Sequence, residues 1–121
     1  DLFQKFIEQY NLPYVYTYGA ADLLPYSHPL SIGAIGIKGS RAGNFAIQNC
    51  DSLLILGCSL NCSHTGYDEK LFSPHSYKIQ VDIDKRNHSY QIYNFIGSKS
   101  GSRYGTSDTP IKFYEKSSLL I

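Results

Sequence analysis

Four consecutive aliphatic residues, Leu53-Leu54-Ile55-Leu56, closed by Gly57, constrain this chain more than any other segment. A strand with one wet face alternates apolar and polar side chains. An uninterrupted apolar run of this length suits a strand covered on both faces, as in a parallel sheet flanked by helices. Such a sheet needs further strands and helices, and the surrounding sequence offers candidates for both.

Leu2, Phe3, Phe6, Ile7 and Tyr10 recur at helical spacing, which predicts an amphipathic helix ending near Asn11, ahead of Pro13. Tyr14-Val15-Tyr16-Thr17-Tyr18 is β-branched and aromatic and predicts a strand closed by Gly19. Residues 20–38 carry Pro25, Pro29, Gly33 and Gly36, which suits an excursion over the end of a sheet. Ser40 is placed to cap a second helix with Ala42, Phe45, Ala46 and Ile47 on its inner face. A helical turn is expected around Glu69 to Phe72. A strand follows over 77–84, ending on Asp82 and Asp84, and a weaker one over 90–96. Strands alternating with helices predict an α/β fold with a parallel, Rossmann-like sheet. Beyond Gly97 the composition turns to Gly and Ser over 98–107, as in a linker, and Pro110 opens an expected last helix over 111–121.

At 121 residues the chain suits one domain with a real core. Its formal net charge of +1 excludes the broad basic footprint of a nucleic-acid binder and a polybasic membrane surface. No apolar run approaches the ~20 residues of a membrane-spanning helix. Three cysteines, Cys50, Cys58 and Cys62, are too few for a disulfide framework, so a reducing, cytoplasmic setting is expected. Methionine is absent, and the chain is expected to be part of something longer.

The segments able to carry chemistry cluster in the predicted loops. Gly33, Gly36 and Gly39 recur at spacing three, ahead of the helix predicted from Ser40. Glycines there either bring backbone N–H groups and a helix start to a phosphate, with Lys38 and Arg41 adding charge, or only permit close helix–sheet packing. Gly57-Cys58-Ser59-Leu60-Asn61 follows the buried strand, and Asp82-Ile83-Asp84 ends another. Both belong to the crevice at the carboxyl ends of the strands, where an acid either holds a ribose hydroxyl or caps the next turn. Cys58, Cys62, His64 and His75 lack paired C-x-x-C spacing, so no metal site is assigned to them. His28, between Ser27 and Pro29, reads as structural, and the eleven tyrosines as core and sheet-surface residues.

Taken in order, these segments resemble the central domain of thiamine-diphosphate-dependent enzymes. The resemblance is carried by Leu12-Pro13-Tyr14-Val15-Tyr16-Thr17, by His28-Pro29-Leu30, and by Gly33-x-x-Gly36-x-x-Gly39-Ser40-Arg41-Ala42-x-Asn44-x-Ala46. It continues through Cys50-Asp51-x-Leu53-Leu54-Ile55-Leu56-Gly57, Thr65-Gly66-Tyr67, Phe72-x-Pro74 and Val81-Asp82-Ile83-Asp84. It is most similar to acetolactate-synthase-like large subunits and covers residues 1–97; residues 98–121 lie outside it.

The resemblance implies a six-stranded Rossmann-like domain lying between two others. One of those carries an activating glutamate, and the other holds thiamine diphosphate and Mg²⁺ through a G-D-G…N motif. This sequence has neither, so catalytic residues are expected to be absent and the chain inert by itself. The parent is expected to be a homo-oligomeric transferase or lyase that decarboxylates a 2-oxo acid. By position, Thr17, Gly36, Ile37, Lys38, Gly57, Cys58, Ser59, Asn61, Asp82 and Asp84 fall on the family's flavin-contacting segments, with Gly39, Arg41 and Asn44 beside them. Flavin-binding relatives read G-A-R-F-D-D-R where this chain reads Gly57-Cys58-Ser59-Leu60-Asn61-Cys62-Ser63, and Ser98 replaces a usual aspartate. With both arginines gone, the charge that would hold a pyrophosphate is gone. The crevice is therefore expected to be structural, FAD or ADP being the ligands it would take if it binds one. Relatives also open the domain with a strand of the P-V-I-I-A-G-G-G type, which is missing here. Its absence would leave a gap in mid-sheet with two unpaired edges unless something else covers it. The alternative reading is a stand-alone nucleotide-binding or interaction module that kept the fold and lost the chemistry.

Overall fold

The computed structural model describes residues 2–82 and two further strands, Tyr93–Phe95 and Ser118–Leu120. The first helix, α1, spans Leu2–Gln9 and buries Ile7 completely. It stops where Asn11 turns to φ 48°, a left-handed conformation that asparagine tolerates, and the Leu12 N–H closes on the Ile7 carbonyl at 2.9 Å. The chain then enters strand β1, Tyr14–Tyr16, shorter than predicted because Tyr18–Ala20 winds into a 3-10 turn.

Strand β2, Ser31–Ala34, pairs in parallel with β1 and forms the sheet edge. It lies inside the segment expected as an excursion, and that expectation is corrected. Pro29 and Gly33 punctuate the segment, so the strand rests on pairing with β1 and not on local preference. Helix α2, Arg41–Asn49, starts as predicted: the Ser40 hydroxyl accepts the Gly43 N–H at 3.0 Å. Strand β3, Ser52–Leu56, pairs in parallel with β4, Tyr77–Val81, through five consecutive positions from Ser52↔Tyr77 to Leu56↔Val81. Between them lie the short helix α3, Cys62–Thr65, and a 3-10 turn at Glu69–Leu71. Strand β5, Tyr93–Phe95, adds to β4.

The last strand, β6, is Ser118–Leu120. It lies between β1 and β3, parallel to both. The helix expected to run to residue 121 is corrected over these residues; 111–117 lie outside the described residues. The sheet order is β2-β1-β6-β3-β4-β5. This is the Rossmann order 3-2-1-4-5-6 with its central position filled by the final strand instead of the first. The expected mid-sheet gap is thus covered from the chain's own end.

Both faces of the sheet are covered, which explains the unbroken apolar run. Leu53 and Ile55 join Val15, Ile35, Ile47 and Phe72 in the core on the α2 side. Leu54 and Leu56 join Tyr14 and Tyr16 against Ile7, Phe3 and Phe6 on the α1 side. At the amino ends of β3 and β4 a polar clamp ties the layers. Fully buried Ser73 receives the Lys78 ammonium on its carbonyl at 2.7 Å, and its N–H donates to the Gln48 amide oxygen at 3.1 Å. His28 is structural as expected: its Nδ1 accepts the Leu30 N–H at 3.3 Å, and its Nε2 lies 3.3 Å from Glu8.

Candidate functional site

Parallel strands all present their carboxyl ends at one edge, and ligands in such sheets bind there, where the strand order reverses. In this chain a cavity of about 380 Å³ opens at that edge, between the ends of β1 and β3. It lies beyond the stop of β6, because β3 continues through Ile55 and Leu56 after its last pairing with β6 at Leu54. Its walls are Tyr14, Val15, Tyr16 and Leu56, with Phe3 from the first turn of α1 and Leu23 closing the sides. Thr17, Gly57 and Cys58 complete the mouth.

Of the residues singled out from the sequence, Thr17, Gly57 and Cys58 therefore line the cavity. Asp82 lies one residue past β4, close enough for its charge to act on Cys58. Ser59 is exposed beside them, and Asn61 caps α3, accepting the Ser63 N–H at 3.0 Å. Asp84 lies outside the described residues. Gly36, Ile37, Lys38, Gly39, Arg41 and Asn44 form a second group, the loop and first turn of α2, which does not line the cavity. The Tyr18 hydroxyl joins the two groups by donating to the Lys38 carbonyl at 2.6 Å.

Backbone groups of the α2 loop are engaged within the protein. The Asn44 amide grips Gly36 at both ends, accepting its N–H at 2.9 Å and donating to its carbonyl at 3.0 Å. The Ile37 N–H donates to Ser63, that of Gly39 to Gly36, and that of Ser40 to Ala34. Gly36 is at φ +96°, and a Cβ there would sit 2.5 Å from the Ser63 carbonyl oxygen. At Gly43 a Cβ would strike the Ala34 carbonyl oxygen. These contacts belong to the packing reading of the glycine spacing, with N–H groups that a phosphate nest would need already engaged.

Gln80 is a residue that the sequence reading passed over. It is fully buried on β4, and its Nε2 donates to the Cys58 carbonyl at 2.8 Å, fixing the chain that leaves β3. It shares its phase along the strand with Lys78 and Asp82, the polar phase, so alternation gave no signal of its burial. Its Oε1 has no hydrogen-bond partner among the described residues.

Burial sets the titration of the buried thiols. It pushes the Cys58 thiol up, with the nearby Asp82 charge adding to it, and likewise raises Cys50 against the opposing hydrogen bond from Ser73. Burial also lowers His64. A thiol that ionises later when folded gives stability that is lost as pH rises past the ordinary thiol value of about 8.5. A histidine with a lowered folded pKa gives stability that is lost as pH falls below about 6.5. Thermal unfolding followed from pH 5 to 10 is expected to show a plateau near pH 7–8 with a fall on either side. Cys50→Ala with Cys58→Ala should flatten the alkaline limb, and His64→Gln the acid limb. An unchanged profile in both variants would contradict the assignment.

The chemistry on offer is narrow. Among the described residues no Lys, Arg, Asp, Glu or His side chain lines the cavity, and no three of His, Cys, Asp and Glu gather where they could hold a metal. These residues do not fit thiamine diphosphate with Mg²⁺, which requires carboxylate and amide oxygens around the ion. The cavity's volume lies within the range of small-molecule sites, and its aromatic and aliphatic walls suit a flat ring. Lys38, in the loop before α2, and Arg41, its first residue, are exposed.

Residues 1–97 match the family described as thiamine pyrophosphate enzyme, central domain. The chain belongs to that family. Among curated proteins this central domain is similar to the acetolactate synthase isozyme 1 large subunit of Escherichia coli, 37% identical over 82 residues, covering 68% of this chain and 14% of that protein. The acetolactate synthase large subunit of Lactococcus lactis is 40% identical over 84 residues, covering 69% and 14%. A probable acetolactate synthase large subunit of Methanocaldococcus jannaschii is 34% identical over 80 residues, covering 66% and 13%. The matched part of the chain thus spans about one-seventh of the length of these relatives. Among the described residues no helix is long and apolar enough to cross a membrane.

Proposed function

We propose that this chain is the scaffold domain of a thiamine-diphosphate-dependent, acetolactate-synthase-like enzyme. The whole protein would decarboxylate a 2-oxo acid such as pyruvate and pass the two-carbon unit to an acceptor, as a cytoplasmic oligomer. Thiamine diphosphate and Mg²⁺ would be held by flanking domains, and this domain would pack between them. The observation that carries the reading is the match of residues 1–97 to the central-domain family, with acetolactate synthases among the relatives. The uncharged cavity supports a structural role at the place where FAD or ADP would otherwise bind. Thr17, Gly57, Cys58 and Asp82 would shape it, and the loop from Gly36 to Asn44 would serve packing.

The purified chain, given pyruvate, thiamine diphosphate and Mg²⁺, is expected to form no acetolactate. Calorimetric titration with FAD and with ADP to about 100 µM is expected to give no saturable heat, which places any Kd above that of typical cofactor sites. The longer polypeptide carrying this sequence is expected to form acetolactate in the same assay. Turnover by the 121-residue chain, or its absence in the longer protein, would overturn the scaffold reading. Micromolar FAD or ADP binding that Arg41→Ala abolishes would instead establish a working nucleotide site.

The second reading, a stand-alone module, is favoured by one observation: Ser118–Leu120 completes the sheet from within the chain.

A further inference from the structure

The strand that joins the two halves of the sheet comes from the far end of the chain and is three residues long. β1 is tied to β2, β3 to β4, and β4 to β5, by pairings of their own. Between these halves stands β6, paired with Ser52, Leu53 and Leu54 on one side and with Tyr14 alone on the other. The slot is longer than its occupant, since β3 runs on through Leu56. Residues 96–117 separate β6 from β5, and 98–107 of them are rich in Gly and Ser. Fully extended, such a tether of about 20 residues reaches roughly 70 Å. The slot is only three strand spacings from β5, about 14 Å. A chain segment of that length can reach the slot of a neighbouring molecule as well as its own. The slot's two flanks are apolar on both faces, and Leu119 and Leu120 stand in register with Leu53 and Leu54.

The geometry points to the groove between β1 and β3 as a strand-acceptor site, with the C-terminal strand of a second copy of this chain as its exchange partner. In the exchanged dimer each copy seats residues 118–120 between the other's β1 and β3. Every pairing of the monomer is kept, so the two forms differ mainly in tether entropy and concentration. The intramolecular strand competes at an effective concentration on the order of millimolar. The chain is therefore monomeric at micromolar concentration and increasingly dimeric towards millimolar. The inference concerns the 121-residue chain, in which Ser118–Leu120 closes the sheet.

Ser52 and Ser118 are registered partners, and parallel neighbours about 4.8 Å apart lie within disulfide reach. The test uses the full chain with Ser52→Cys and Ser118→Cys in a Cys62→Ser background, incubated at 10 µM and at 1 mM and then oxidised. Non-reducing electrophoresis is expected to show a cross-linked monomer at 10 µM and at least a tenfold rise in cross-linked dimer at 1 mM. A peptide of residues 112–121 in tenfold excess should reduce that dimer, and the same peptide with Leu119→Pro should not. Light scattering on the unsubstituted chain gives the same concentration dependence without any variant. A disulfide that stays within the monomer at both concentrations, or a dimer indifferent to the peptide, overturns the proposal.

Discussion

Gly43→Val is expected to destabilise this domain strongly, lowering its urea midpoint well below that of the unsubstituted chain. Gly43 lies in the first turn of α2 and is buried against β2, where a Cβ would meet the Ala34 carbonyl oxygen and the Gly33 carbonyl oxygen at 3.0 Å. Those atoms are backbone of a paired strand, so they cannot swing aside as a side chain would. The helix must lift off the sheet, and with it go Ile47 and Ala46 from the core on that face. Overpacking of a tight site costs about 1–3 kcal/mol, occasionally more, and a rigid carbonyl places this site at the upper end. Set against a total stability of about 5–15 kcal/mol, that is a large share. The measurement is the urea midpoint, with Gly57→Ala as control. Gly57 has φ +61° but open space around its Cβ position, so only backbone strain of about 1 kcal/mol is expected there. A Gly43→Val midpoint within error of that control would refute the steric account.

Ile55→Ala carries the second large effect, expected at about 2–5 kcal/mol. Ile55 is fully buried on β3, between Gln80 on β4 and the edge that faces the central slot. Neighbouring side chains come from several elements, among them Val15, Ile47 and Phe72, so they cannot collapse together to refill the lost volume. For a domain of this size the melting temperature is expected to fall by more than about 10 °C, with the urea m-value unchanged because the fold is retained. Ile55→Val, which removes one methylene, should cost about 1 kcal/mol. Equal effects from the two substitutions would mean that the site relaxes around the cavity.

Local chemistry was enough for part of this structure. The Ser40 cap and the run Leu53–Leu56 each predicted its element, because a cap is a contact between residues three apart and a doubly covered strand must be apolar at every position. β2 was not legible. Its four residues include a glycine and follow a proline, and they extend because β1 offers them a ladder. The reading of residues 111–121 as a helix failed for a related reason. A three-residue strand has no periodicity to display, and its assignment comes from an open slot between β1 and β3.

The candidate site divides in the same way. Gly33, Gly36 and Gly39 announced a close approach of backbone to something, and spacing alone left open whether that was a phosphate or another strand. The Asn44 side chain, eight residues away, and the Ser63 carbonyl, on a different element, take up the loop's hydrogen-bonding groups. Gln80 was passed over because burial of a single polar residue is a property of its neighbours, not of its own segment.

The sequence by itself determined the α/β class, the doubly buried strand, the capped helix and the family, since these depend on residue type and order over short spans. The tertiary structure alone decided which strand closes the sheet, where the cavity opens and how the glycine loop is used. Each of those is a matter of which backbone groups find partners far away in the chain, and distant pairing leaves no periodic trace in the residues that take part.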